Sequence, residues 1–106
     1  MRLSHHVKEE KLIVKITGRW EAGDHEEVDR YLQGLSEPCE ILLLNLGQHQ
    51  ELDSGAIAWL LARSQEELAK KRQFGLCGYS PKMLDILDSK GLGSLLWVGG
   101  SELENG

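Results

Sequence analysis

Strand-like and helix-like hydrophobic patterns alternate along this chain. In Leu12-Ile13-Val14-Lys15-Ile16-Thr17, strict alternation gives Leu12, Val14 and Ile16 one face, and Gly18 ends the run. Ile13 shares the other face with Lys15 and Thr17, so that face is expected to be less buried. Residues 2–7 form a short first strand, turned by the charged Lys8-Glu9-Glu10. Between 22 and 35 the period changes to that of a helix, with Val28, Tyr31, Leu32 and Leu35 on one stripe. Asp24, Glu26 and Glu27 crowd its start, where the helix dipole favours negative charge.

Pro38 separates this helix from the next strand. Residues 41–44 are apolar on both faces, the pattern of a central strand covered on both sides. A helix from about 54 to 72 places Ile57, Leu60, Leu61 and Leu68 on its apolar stripe, and Phe74-Gly75-Leu76-Cys77 reads as a fourth strand. Ser80-Pro81 opens a third helix with a serine cap and proline at its first position. Met83, Leu84 and Leu87 give it an apolar side, and Gly91 stops it. Leu95-Leu96-Trp97-Val98 completes the pattern as a fifth strand. The order β-β-α-β-α-β-α-β predicts one α/β domain over 1–99, with a mixed, mostly parallel sheet of about five strands and crossover helices. Residues 100–106 read as a flexible tail.

At 106 residues the chain has room for a single real core. Its net charge of −5 argues against nucleic-acid binding, which needs a basic stripe. The one basic cluster, Lys70-Lys71-Arg72, closes a helix and complements its negative end. No apolar stretch approaches the roughly 18 residues of a membrane span, and Met1-Arg2-Leu3-Ser4-His5-His6 lacks a signal-peptide core, so no membrane insertion and a cytoplasmic location are expected. Cys39 and Cys77 lie in apolar strand contexts and read as free thiols. His5, His6, His25 and His49 have no metal-ligand spacing, so no metal or cofactor is expected. Glu21, Asp24 and Asp53 lack the acidic pair and later lysine of a phosphoaspartate receiver, and Gly91-Leu92-Gly93 reads as a helix stop. No nucleophile-base-acid set emerges, so a binding module rather than an enzyme is expected.

In an open α/β sheet, functional residues gather beyond the carboxyl ends of the strands. Two loops belong there: Asp53-Ser54-Gly55, entering the long helix, and Arg19-Trp20-Glu21. Locally, Asp53 and Ser54 are ordinary helix starters. The same position gathers backbone N–H groups and the positive end of the dipole, which favour an added phosphate. Trp59, one turn on and off the main stripe, either packs beneath a neighbouring loop or anchors a partner. Trp20 flanks the same surface, and Trp97 is expected in the core.

Asn45-Leu46, Asp53-Ser54 eight positions after Asn45, the apolar helix that follows, Tyr79-Ser80-Pro81 and Gly91-Leu92 together resemble the STAS domain family. Bacterial anti-sigma factor antagonists are its best-known soluble members. The resemblance implies a binding switch: the unphosphorylated form engages an anti-sigma factor that is also a serine kinase, and a serine phosphatase reverses the modification. By position, Ser54 is the implied phosphoacceptor. Asp53, Gly55, Ala56, Trp59, Trp20 and Glu21 make up the implied switch loop and partner surface. Gly55 stands where a second serine is common in the family, Ala56 and Ala58 where glycines are frequent, and His49 and Glu51 make the approach more polar than usual. The family also contains non-switching subunits of membrane-associated assemblies such as lipid-transport complexes, which form the alternative reading.

Overall fold

A computed structural model describes residues 1–18, 20–21, 23–35, 39–47 and 52–97. Strands β1 (Arg2–Lys8) and β2 (Lys11–Thr17) pair antiparallel as a hairpin, from Arg2 opposite Thr17 to Lys8 opposite Lys11. β3 (Ile41–Asn45) lies parallel to β2, and β4 (Gln73–Cys77) parallel to β3, giving one four-stranded sheet in the order β1-β2-β3-β4. Helices α1 (Asp24–Gln33), α2 (Ser54–Ala69) and α3 (Pro81–Ser89) alternate with the later strands. The mixed, mostly parallel α/β architecture expected from the sequence is therefore present.

The strand count differs. Residues Gly93–Leu95 form a 3₁₀ turn, after which Leu96 makes a single parallel bridge to Leu76 and the Trp97 amide donates to the Leu76 carbonyl at 2.8 Å. Closing α3 uses the intervening residues. Gly91 takes φ 82, the Leu92 amide returns to the Leu87 carbonyl at 2.8 Å, and Leu92 is buried. Among the described residues, contact with β4 in this segment is thus a single bridge at the extended Leu96 and one hydrogen bond from Trp97. Val98 and the expected tail, like Pro38, lie outside the described residues.

The main core fills the space between the sheet and the helices. Leu12, Val14, Ile16, Leu42, Leu44 and Leu76 from the strands meet Val28, Leu32, Ala56, Leu60, Met83 and Leu87 from the helices. The opposite sheet face is more buried than alternation predicts: Ile13 is fully buried with Leu43 and Cys77, and Ile41 and the half-buried Trp97 pack against them. Trp97 lies where Gly75 leaves room; a Cβ there would stand 3.3 Å from the indole.

The inward stripe of α2 is also shifted from expectation. Leu61 and Leu68 are exposed, as is Leu84 of α3, while α2 buries Ala56, Leu60, Arg63 and Glu67. These positions have helical spacing, so two charged side chains occupy the inner face. Their charges are compensated. Arg63 Nη1 donates to Asp29 Oδ1 at 3.1 Å and to Glu66 Oε2 at 3.3 Å, and the fully buried Glu67 carboxylate pairs with Arg72. Arg72 Nη1 also contacts Cys39 Sγ at 3.2 Å. Burial alone would lower the Arg72 pKa. Hydrogen bonds to Cys39 and Glu67, with the charge of Glu67, outweigh it and hold the guanidinium above its ordinary value. Neither cysteine forms a disulfide: Cys77 is buried, whereas Cys39 is half-buried.

Candidate functional site

The candidate loop is built from the end of β3. Asn45 is buried, and its side-chain oxygen accepts the Gly47 amide at 2.9 Å. The same side chain lies against Gly78 at the exit of β4, which adopts φ 68; a Cβ there would overlap Asn45. Asn45 thus fixes two strand exits against each other, which is a structural task for the first residue of the sequence pattern. His49 and Glu51, the polar approach noted above, lie outside the described residues, as does Arg19.

At the start of α2, Asp53 is the N-cap. Its Oδ1 accepts the Ala56 amide at 2.8 Å, and its carbonyl accepts the Ile57 amide at 3.1 Å. Ser54, the first helical residue, is exposed. Gly55 is half-buried, and Ala56 is fully buried in the main core. The resulting arrangement presents a hydroxyl to solvent at the positive end of a 16-residue helix whose next turn is anchored beneath it. A dianion added there would meet helix amides on one side and the Asp53 carboxylate on the other.

Helix α1 supplies the wall beside this loop. The Nδ1–Cε1 edge of the His25 ring faces Gly55: a Cβ at position 55 would lie 3.2 Å from Cε1 and 3.6 Å from Nδ1. Further along, the Trp59 indole N–H donates to Asp29 Oδ1 at 3.0 Å, the oxygen that also receives Arg63. Gln33 Nε2 donates to the other Asp29 oxygen at 2.6 Å. Trp20 is buried and stands with its ring 6.4 Å from that of Trp59, tilted by 54°. Trp59 itself is half-buried and lines a cleft of about 380 Å³ between α1 and α2, together with His25, Asp29, Arg63 and Glu66. Glu21 is exposed, and its amide donates to Asp24 Oδ2 at 2.7 Å.

Of the residues expected at the site, Asp53, Ser54, Gly55 and Ala56 are consecutive at the start of α2, with Trp59 one turn on and the tilted ring of Trp20 beside it. Glu21 is hydrogen-bonded to Asp24 at the start of α1, through its amide and its carbonyl. Sequence reading missed His25, Asp29 and Arg63. A signal for Arg63 existed: it falls on the stripe of Ala56 and Leu60. His25 and Asp29 are brought to α2 only by tertiary packing. Among the described residues, no group of three or more His, Cys, Asp or Glu could hold a metal ion, and no helix is long and apolar enough to cross a membrane.

Comparisons with known proteins converge. The family model described as "Mlab, STAS domain" matches residues 4–97. The solved structure of the anti-sigma factor antagonist SpoIIAA in its unphosphorylated form is similar at a TM-score of 0.74 and 18% identity, covering 98% of this chain and 94% of that one. The Bacillus cell fate determinant SpoIIAA in its phosphorylated form is similar at a TM-score of 0.68 and 19% identity, covering 98% and 97%. At these identities the two structures establish a common fold. No curated protein sequence matches the chain.

Proposed function

The chain belongs to the STAS domain family, and on that premise we propose that it is a phosphorylation-controlled protein-binding module, an anti-sigma factor antagonist switched at Ser54. The observation that carries this reading is the exposed Ser54 hydroxyl at the start of α2, between the Asp53 cap and the buried Ala56. A kinase has access to that oxygen without unfolding the helix. The likeness to SpoIIAA, solved in both unphosphorylated and phosphorylated forms, supports the same reading.

The mechanism follows from charge. Unmodified, the loop from Asp53 to Ala56 with Trp59 and Trp20 behind it, and Glu21 at the neighbouring strand exit, forms the surface that docks on an anti-sigma factor serine kinase. Phosphorylation adds about −1.5 to −2 charges next to Asp53. Helix amides tolerate that charge within the domain. A partner packed over the loop meets desolvation and like-charge repulsion, and a coupling of about 1–3 kcal/mol releases it. A serine phosphatase restores the binding form. The module performs no catalysis, and its chemistry is supplied by these partners.

The test is to incubate the protein with its kinase partner and ATP and locate the phosphate by mass spectrometry. One phosphate on Ser54 is expected, absent in Ser54→Ala. Ser54→Asp weakens partner binding at least tenfold, while Ser54→Ala retains it. Equal binding by wild type and Ser54→Asp overturns the switch. Copurification with a transporter ATPase, independent of residue 54, would instead identify a non-switching subunit of a transport assembly.

A further inference from the structure

His25 Nδ1 is buried and makes no hydrogen bond, yet the ring edge that carries it is turned toward the residue following Ser54. Buried polar atoms without partners are uncommon, and each calls for a physical explanation. Packing explains the position of the ring, because Gly55 offers no side chain and the imidazole edge occupies the space a Cβ would crowd. Packing does not explain why a hydrogen-bonding edge, rather than an apolar one, faces this loop.

We propose that His25 is the positioning residue for phosphate on Ser54: its imidazolium pairs with the phosphoserine dianion and holds the modified loop against α1. This rests on the reading of Ser54 as the modified residue. Ser54 Cα is one peptide from Gly55 Cα, about 3.8 Å, so a Ser54 rotamer turned toward α1 would bring a phosphate on its side chain up to the ring edge. Helix amides at the start of α2 stabilise the anion from one side. Asp53, whose Oδ1 would lie 3.5 Å from a Cβ at Gly55, repels it, and among the described residues His25 is the cation-forming group that faces Gly55. A protonated imidazole donates from both nitrogens, giving Nδ1 the partner it otherwise lacks.

Among the described residues, the charged groups around the ring are Glu26, Asp29 and Arg30 of α1, Arg63 and Glu66 of α2, and Asp53 of the loop. Arg63 is already engaged by Asp29 and Glu66. All of these remain when residue 25 alone is changed, so substitution there isolates the imidazole.

Phosphoserine installed at position 54 during translation removes any dependence on a kinase or on partner binding. Phosphorus NMR then follows the second ionisation of the phosphate against pH in otherwise wild-type protein, in His25→Gln and in His25→Ala. The expected result is a midpoint at least about 0.5 pH lower with His25 present than in either variant, because a nearby cation favours the dianion. High salt reduces the difference only partly, since the pair is partly shielded from solvent. Coincident titration curves in all three folded proteins overturn the proposal and leave the Ser54 switch standing. Loss of the switch itself would be seen in partner binding, a separate measurement.

Discussion

The Trp59 indole of α2 donates to the Asp29 carboxylate of α1 at 3.0 Å, and the same oxygen receives the buried Arg63 at 3.1 Å. One acceptor therefore locks the helix that carries Ser54 to the helix that carries His25. It also changes the meaning of Trp59. Its polar edge is committed inside the domain, and only its remaining half-exposed surface is available to a partner.

Asp29→Ala should strand the Trp59 indole N–H and leave the almost fully buried Arg63 with Glu66 and Glu67 as its remaining carboxylates. Hydrogen bonds to charged groups contribute about 1.5–3 kcal/mol each, and losing one partner of a buried pair costs more than a surface pair does. The expected loss is about 3 kcal/mol in urea denaturation. Asp29→Asn, which keeps an acceptor for Trp59, should lose about half of that. Equal stability of Asp29→Ala and wild type would show that the link carries no weight.

Gly55→Ala tests the packing of His25 on the loop. Alanine is better than glycine in a helix by about 1 kcal/mol, but its Cβ would stand 3.2 Å from His25 Cε1. The two effects should nearly cancel in the wild-type background. In His25→Ala the clash is gone, and Gly55→Ala should stabilise by up to about 1 kcal/mol. A double-mutant cycle on thermal midpoints reads this coupling.

Two side chains cap helices in the same way: Asp53 accepts the Ala56 amide at 2.8 Å, and Ser80 accepts the Met83 amide at 3.1 Å. Asp53→Ala and Ser80→Ala should each cost about 1 kcal/mol. Ser54→Ala, at an exposed first helical position, should change stability by less than about 0.5 kcal/mol. That difference matters for the switch test, because it lets Ser54→Ala serve as a folded, non-modifiable reference.

Gly78→Ala combines a positive φ with overlap of the new Cβ on Asn45. A backbone strain of about 1–3 kcal/mol is expected from the conformation alone, before the overlap is relieved. Circular dichroism should report a thermal midpoint at least about 10 °C lower, following the usual scaling for a domain of this size. Gly91, where a Cβ meets nothing, should tolerate alanine better despite its φ of 82.

Local pattern made much of this protein legible. The hairpin, the buried β3 run, the serine cap before Pro81, the stop at Gly91 and the start of α2 at Ser54 are all governed by neighbours within a few residues. Period, capping and turn chemistry act at that range. Asp53 and Ser54 could be placed at a strand exit for the same reason. The inner face of α2 could not. An apolar count selects Leu61 and Leu68, whereas Arg63 is buried because Asp29 arrives from α1 to neutralise it, and Glu67 because Arg72, just past the end of α2, folds back onto it. The burial of Ile13 likewise depends on packing contributed by Leu43, Cys77 and Trp97 across the sheet.

By itself, then, the sequence determined the element order as far as α3, the α/β class and a serine at a capped helix start, all consequences of short-range physics. The tertiary structure decided what surrounds that serine. His25 faces Gly55, Trp59 is tied to Asp29, and Asn45 is packed on Gly78, because each contact joins residues distant in the chain. Such pairings are selected by how side-chain shape and charge fit once the sheet and helices have assembled, and a polar residue's burial is decided by the partner it meets there.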